Sequence, residues 1–183
     1  MKYKILSRDI IPEYISQVPA VAAYFGDETE FEIDEIGDGN LNYVDKVRSK
    51  NKSEKVVVLK QAVPYLRMVG EEWPLARDRM SFEIRALKQY NELVPASVPS
   101  VIHADEEMSV LIMQCLDAHK ILRYGMIDGV TYPKIADHVG SFLAQTLFKT
   151  SAFGLPSVDR RALMNSFLTV SYTHLTLPTI YSV

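Results

Sequence analysis

Three features of this chain have the residue types and the order needed to hold a triphosphate. Gly37-Asp38-Gly39-Asn40-Leu41-Asn42 is a glycine-containing turn between two strand-like runs. Lys60 ends the apolar run Val56-Val57-Val58-Leu59, and Glu83 follows within a helical pattern. Two glycines let a hairpin backbone pass close to phosphate oxygens, because no Cβ stands in the way. A lysine at the end of a buried run supplies a fixed positive charge, and a carboxylate on the following helix can orient it. Each feature has an ordinary reading by itself: a hairpin turn, a surface strand lysine, a solvated glutamate among Arg79, Arg85 and Lys88. Their arrival in the order turn, strand lysine, helix glutamate is what argues for chemistry.

The elements that must position these residues can be read from periodicity. Residues 9–24 carry apolar positions at Ile11, Tyr14, Ile15, Val18 and Val21, which predicts one short amphipathic helix with Pro12 in its first turn. Residues 31–36 alternate apolar and acidic, as in a half-buried strand; 41–47 return, and 49–53 form a polar tip. The β-branched run 55–60 predicts a central third strand of an antiparallel meander. Residues 61–75, with Pro64, Gly70, Trp73 and Pro74, read as a long connection too irregular for helix or strand. Residues 77–93 form a helix with the stripe Met80, Ile84, Leu87, Asn91, and Glu83 beside it can face the sheet, with Lys60 as partner. Pro95 and Pro99 end that helix, and 100–105 and 108–113 supply two further strands. Residues 131–150 are the clearest helix, with Ile135, Val139, Phe142, Leu143 and Leu147 at helical spacing. His103 has no acidic or thiol neighbour at ligand spacing and reads as structural, as does Cys115, a small buried hydrophobe.

The stretches Gly37 to Val44, Val58-Leu59-Lys60-Gln61-Ala62-Val63-Pro64-Tyr65 and Val69-Gly70-Glu71-Glu72-Trp73-Pro74-Leu75 together resemble the amino-terminal part of the S-methyl-5-thioribose kinases. That family has the aminoglycoside-phosphotransferase/protein-kinase-like fold. The resemblance spans roughly residues 12–167 and extends to Leu147-Phe148-Lys149-Thr150-Ser151. It implies an α+β fold: a kinase-like N-lobe over 1–113, with a five-stranded antiparallel sheet and one main helix, then a hinge at 114–117. The first helix of a truncated helical C-lobe would follow within 118–167. It implies ATP and methylthioribose as substrates, with Mg²⁺, and transfer of the γ-phosphoryl to the sugar 1-hydroxyl in methionine salvage. Gly37, Asp38, Gly39, Asn40, Leu41 and Asn42 would cover the phosphates, Lys60 would bind them, and Glu83 would hold Lys60. Gln114, Cys115 and Leu116 would meet adenine through backbone N–H and C=O groups, as hinges of this fold do; where the family tends to carry an acidic pair the chain reads Gln114-Cys115-Leu116-Asp117, which argues against a side-chain role there. Trp73 is either an anchor that buries its loop or part of a loop folding towards the sugar. A homodimer of the intact protein is compatible with the resemblance. Within the fold, an aminoglycoside- or choline-kinase-like phosphotransferase is the alternative, with the Val69 to Leu75 loop favouring thioribose.

Bulk properties narrow the field further. The chain has 183 residues, 48% hydrophobic and 23% charged, as in a globular protein. A net charge of -3 offers no basic surplus for nucleic acid or an anionic membrane. One cysteine precludes an internal disulfide framework and fits a reducing cytoplasm, and the first residues lack the apolar centre of a signal peptide. No apolar run approaches the roughly 18 residues of a membrane helix.

A phosphotransferase also needs an aspartate to accept the hydroxyl proton and carboxylates for Mg²⁺. No His-Gly-Asp-like loop occurs in the chain, so no catalytic residue and no metal ligand is assigned to it. Residues 168–183 carry no charge and no helical period and do not continue the resemblance. The expectation is a truncated product that holds the nucleotide half of the site and has a non-native tail. A non-catalytic nucleotide-binding module is the reading from a different class.

Overall fold

The computed structural model describes residues 2–36, 41–151, 153–167 and 181–182. Its elements in chain order are α1 (Ile11–Gln17), α2 (Pro19–Phe25), β1 (Phe31–Glu35), β2 (Asn42–Ser49), β3 (Val56–Ala62), β4 (Tyr65–Leu66), β5 (Gly70–Pro74), α3 (Arg79–Leu93), β6 (Val101–Asp105), β7 (Val110–Gln114), β8 (Lys120–Ile121), α4 (Leu122–Ile127), α5 (Ile135–Lys149), α6 (Ser157–Phe167) and β9 (Tyr181–Ser182). The fold is mixed α+β around a five-stranded antiparallel sheet of order β1-β2-β3-β7-β6. This is the sheet expected of a kinase-like N-lobe.

The chain falls into two compact units, 1–86 with 100–115, and 87–99 with 116–183. In the first, β3 is the middle strand, as its β-branched run requires, and Val57 and Leu59 are fully buried. Successive side chains of a strand point to opposite faces. Val57 and Leu59 therefore share one face, where Ile11, Tyr14, Ile15, Val21 and Phe25 join them in the core together with Val47, Val110 and Ile112. Val58, Lys60 and Ala62 take the other face. The amino-terminal segment thus supplies about half of this core. Gln61, fully buried on the first face, ties it down: the Leu6 N–H donates to Gln61 Oε1 at 2.8 Å, and Gln61 Nε2 donates to Lys4 O at 2.8 Å and Met108 O at 3.1 Å.

Three expectations need correction. Residues 9–24 make two helices, not one, because Val18 is extended at φ −96°, ψ 106° before Pro19; the proline ring disfavours the helical region for the residue ahead of it. The stretch 61–75 is not irregular throughout: β3 runs on to Ala62, and β4 and β5 form a small hairpin with a register shift at Tyr65/Leu66. Gly70, at φ +91°, starts its return strand in a conformation side chains rarely adopt. Four of the five β5 residues are exposed, so no apolar alternation marks the strand in the sequence. The long helix begins at Ile135 rather than Thr131, with Pro133 ahead of it.

In the second unit Tyr90, on the later part of α3, meets Phe142 of α5 edge-on, with ring centroids 5.6 Å apart. Asn91 Nδ2 donates to Pro99 O at 3.0 Å, closing the turn after α3. Phe142 and Thr146 are buried on α5, whereas Leu147 and Phe148 are 60% and 62% exposed. Among the described residues no helix is long and apolar enough to cross a membrane.

Candidate functional site

Lys60 sits two residues before the end of the central strand, opposite Val44 on β2 and Leu111 on β7. The period of the strand turns it away from the α1–α2 core. Glu83 lies on α3 one residue before Ile84 and three after Met80, both fully buried. That phase turns its carboxylate inward rather than to bulk water. Lys60 Nζ donates to Glu83 Oε1 at 2.6 Å, with the two side chains 18% and 24% exposed. Sheet and helix thus bring the two residues together, each with part of its head group still open to solvent.

Of the turn residues, Gly37, Asp38, Gly39 and Asn40 lie outside the described residues. What flanks them is heavily tied. Leu41 is exposed, and Asn42, which opens β2, is buried. Asn42 Oδ1 accepts from Arg79 Nε at 3.2 Å and Nη2 at 3.0 Å. Arg79 Nη2 also donates to Leu41 O at 2.9 Å and Val63 O at 2.8 Å, and its Nη1 donates to Leu75 O at 3.4 Å and to Ala76 O. Burial pulls the Arg79 guanidinium below its usual pKa, opposed by the charges of Tyr3, Asp78 and Glu83. On the β1 side, Arg67 Nη2 pairs with Glu35 Oε1 at 2.6 Å, its Nη1 donates to Asn42 O at 3.0 Å, and its guanidinium lies 3.9 Å from the Tyr43 ring centroid. Asp45, buried opposite Glu35 in the β1–β2 register, has its pKa raised by burial and then by the Glu35 charge, with Arg8 and Arg67 acting against the rise.

Sequence reasoning missed Arg79, which it counted among the solvated charges around Glu83. One signal was present: four residues separate the two, a single helical turn on one face. The carbonyls that Arg79 reads leave no mark in the sequence. Arg67 gave no signal, since the stretch around it was read as irregular.

Trp73 lies on β5 and is 59% exposed, so it is not the buried anchor that was one of its two readings. At the end of β7 the Gln114 N–H donates to Ser100 O at 2.9 Å, and the Gln114 side-chain oxygen accepts from Ser100 N at 3.3 Å. Cys115 is half-buried, and Leu116 O accepts from His119 N at 2.9 Å. The Gln114 N–H, one of the backbone groups expected to meet adenine here, is therefore already engaged with Ser100. Among the described residues no group of three or more His, Cys, Asp or Glu side chains could hold a metal ion.

No family model matches the chain. It is similar to curated proteins named methylthioribose kinase: 45% identical over 145 residues to that of Bacillus cereus (strain AH187), covering 79% of this chain and 36% of the relative. The match to the protein of Bacillus mycoides (strain KBAB4) is 41% over 159 residues, covering 87% of this chain and 40% of the relative. That to the protein of Bacillus thuringiensis (strain Al Hakam) is 44% over 145 residues, again 79% and 36%. The chain spans well under half the length of the relatives it matches, and within that span it is a partial-length homologue of the methylthioribose kinases.

Proposed function

We propose that this chain is the nucleotide-binding portion of an ATP-dependent methylthioribose kinase, the activity being transfer of the γ-phosphoryl to the sugar 1-hydroxyl. The observation that carries the proposal is the Lys60–Glu83 pair, a lysine on the central strand held at 2.6 Å by a helix carboxylate. In its proposed role the Lys60 ammonium neutralises phosphate oxygens, and Glu83 fixes where that charge stands. Residues 37–42 are assigned the role of covering the phosphates. The hinge is 114–117, dividing an N-lobe over 1–113 from the start of a helical lobe, and Cys115 and Leu116 present backbone groups to adenine. Exposed Trp73 belongs to the loop that meets the sugar, and the relatives' name favours thioribose over an aminoglycoside or choline as acceptor. No step is assigned to Mg²⁺: among the described residues no group of three or more His, Cys, Asp or Glu side chains gathers to hold it.

A second reading, a nucleotide-binding chain without catalysis, is favoured by one observation: no His-Gly-Asp-like loop occurs in the 183 residues. Calorimetric titration with ATP and with adenosine, beside a phosphoryl-transfer assay with methylthioribose, tests both. ATP is expected to bind more tightly than adenosine, with no turnover by the chain as written. Equal affinity for the two ligands would remove the phosphate-binding reading. Turnover would remove the claim that the catalytic groups lie elsewhere.

A further inference from the structure

Arg79 makes contacts that phosphate binding by Lys60 does not require of it. Its side chain is buried, and its fork is satisfied by oxygens from three places: Leu41 and Asn42 at the start of β2, Val63 just past β3, and Leu75 and Ala76 ahead of its own helix. Glu83, four residues on, makes the second link from the same helix to the same sheet, through Lys60. The spacing of the two links matches. Asn42 pairs with Ala62, and Val44 with Lys60, a two-residue step of about 6.8 Å along a strand. The four-residue step from Arg79 to Glu83 is about 6 Å along a helix.

We infer that Arg79 is a positioning residue that pins the first turn of α3 to the start of β2 and the end of β3, and so sets where Glu83 meets Lys60. A single link would leave the helix free to pivot on the sheet; two links one turn apart remove that freedom. The guanidinium is required rather than a positive charge as such. A planar fork reaches acceptors on several sides at once, whereas a lysine ammonium donates from one point. The consequence for ligand binding rests on the phosphate-binding reading of Lys60. The consequence for the backbone does not.

Amide hydrogen exchange on the full chain, with ATP and adenosine titrations, tests this. Arg79→Met and Arg79→Lys should both speed exchange at residues 42–44 and 61–63 by about tenfold, the scale of a lost charge-assisted hydrogen bond. Amides of Val110–Gln114 should be unchanged. ATP affinity should fall about tenfold in both variants, with adenosine affinity unaltered. Wild-type protection in either variant, above all rescue by Arg79→Lys, would overturn the inference. Should Arg79→Met lose protection throughout the chain, Asn42→Ala, which removes only the side-chain acceptor, carries the test. Faster exchange at 61–63 is then expected, and no change there refutes the clamp. If the wild-type chain shows no phosphate-dependent affinity, the reading of Lys60 falls while the exchange data still decide the role of Arg79.

Discussion

Lys60 Nζ stands 2.6 Å from Glu83 Oε1, joining the middle strand of the sheet to α3 through two side chains that both keep solvent contact. Both charges are largely withdrawn from water, and that desolvation offsets much of their attraction, so the pair by itself is weak evidence for stability. Its value is geometric. The lysine charge is delivered to one place at the rim of the sheet, where a negatively charged ligand can meet it.

Gln61 provides a test of the architecture behind that rim. Its amide is fully buried, and all three of its hydrogen bonds go to backbone groups far away in sequence. Gln61→Ala leaves those groups unpaired and opens space in the core, so it should destabilise by about 3 kcal/mol. Urea denaturation measures this. A loss below about 1 kcal/mol would show that the amino-terminal segment is held by apolar packing alone.

Glu28 gives a pH signature. Its carboxylate accepts from the Ser49 hydroxyl, the backbone N–H of Glu30, and Asn51, and these donors hold its pKa down from 4.5 to about 2, with Ser49 the largest cause. A carboxylate whose folded pKa is depressed adds stability above its unfolded pKa and loses it as pH falls towards the folded one. Stability of the wild type should therefore drop more steeply than that of Glu28→Gln between pH 4.5 and about 2. Urea midpoints across that range check it, and parallel slopes would contradict the assignment.

The sheet and the strand-lysine–helix-glutamate pair were legible because both leave linear marks. A run of β-branched residues ending in Lys60 reads as a central strand, and the phase of Glu83 against Met80 and Ile84 reads as an inward carboxylate. The break at Val18 was also written in the sequence, as Pro19, but the helical spacing of Ile11, Ile15 and Val18 outweighed it. The β4–β5 hairpin was not legible, since a strand exposed along most of its length needs no alternation. Arg79 and Gln61 stayed hidden for one shared reason. Most of their partners are backbone groups, and a side chain that pairs with a backbone carbonyl or N–H has no partner type to look for.

The central claim is that Lys60 contacts phosphate and that Glu83 acts through it. ATP affinity of the wild type, Lys60→Met, Glu83→Gln and the double variant decides it. Lys60→Met should weaken ATP binding by roughly ten- to a hundredfold, the loss of a charge-assisted contact, and should leave adenosine unaffected. Glu83→Gln should cost less, since it misplaces the lysine without removing it. The double variant should bind no worse than Lys60→Met, because residues that act through one geometry are not additive. Wild-type ATP affinity in Lys60→Met would contradict the account.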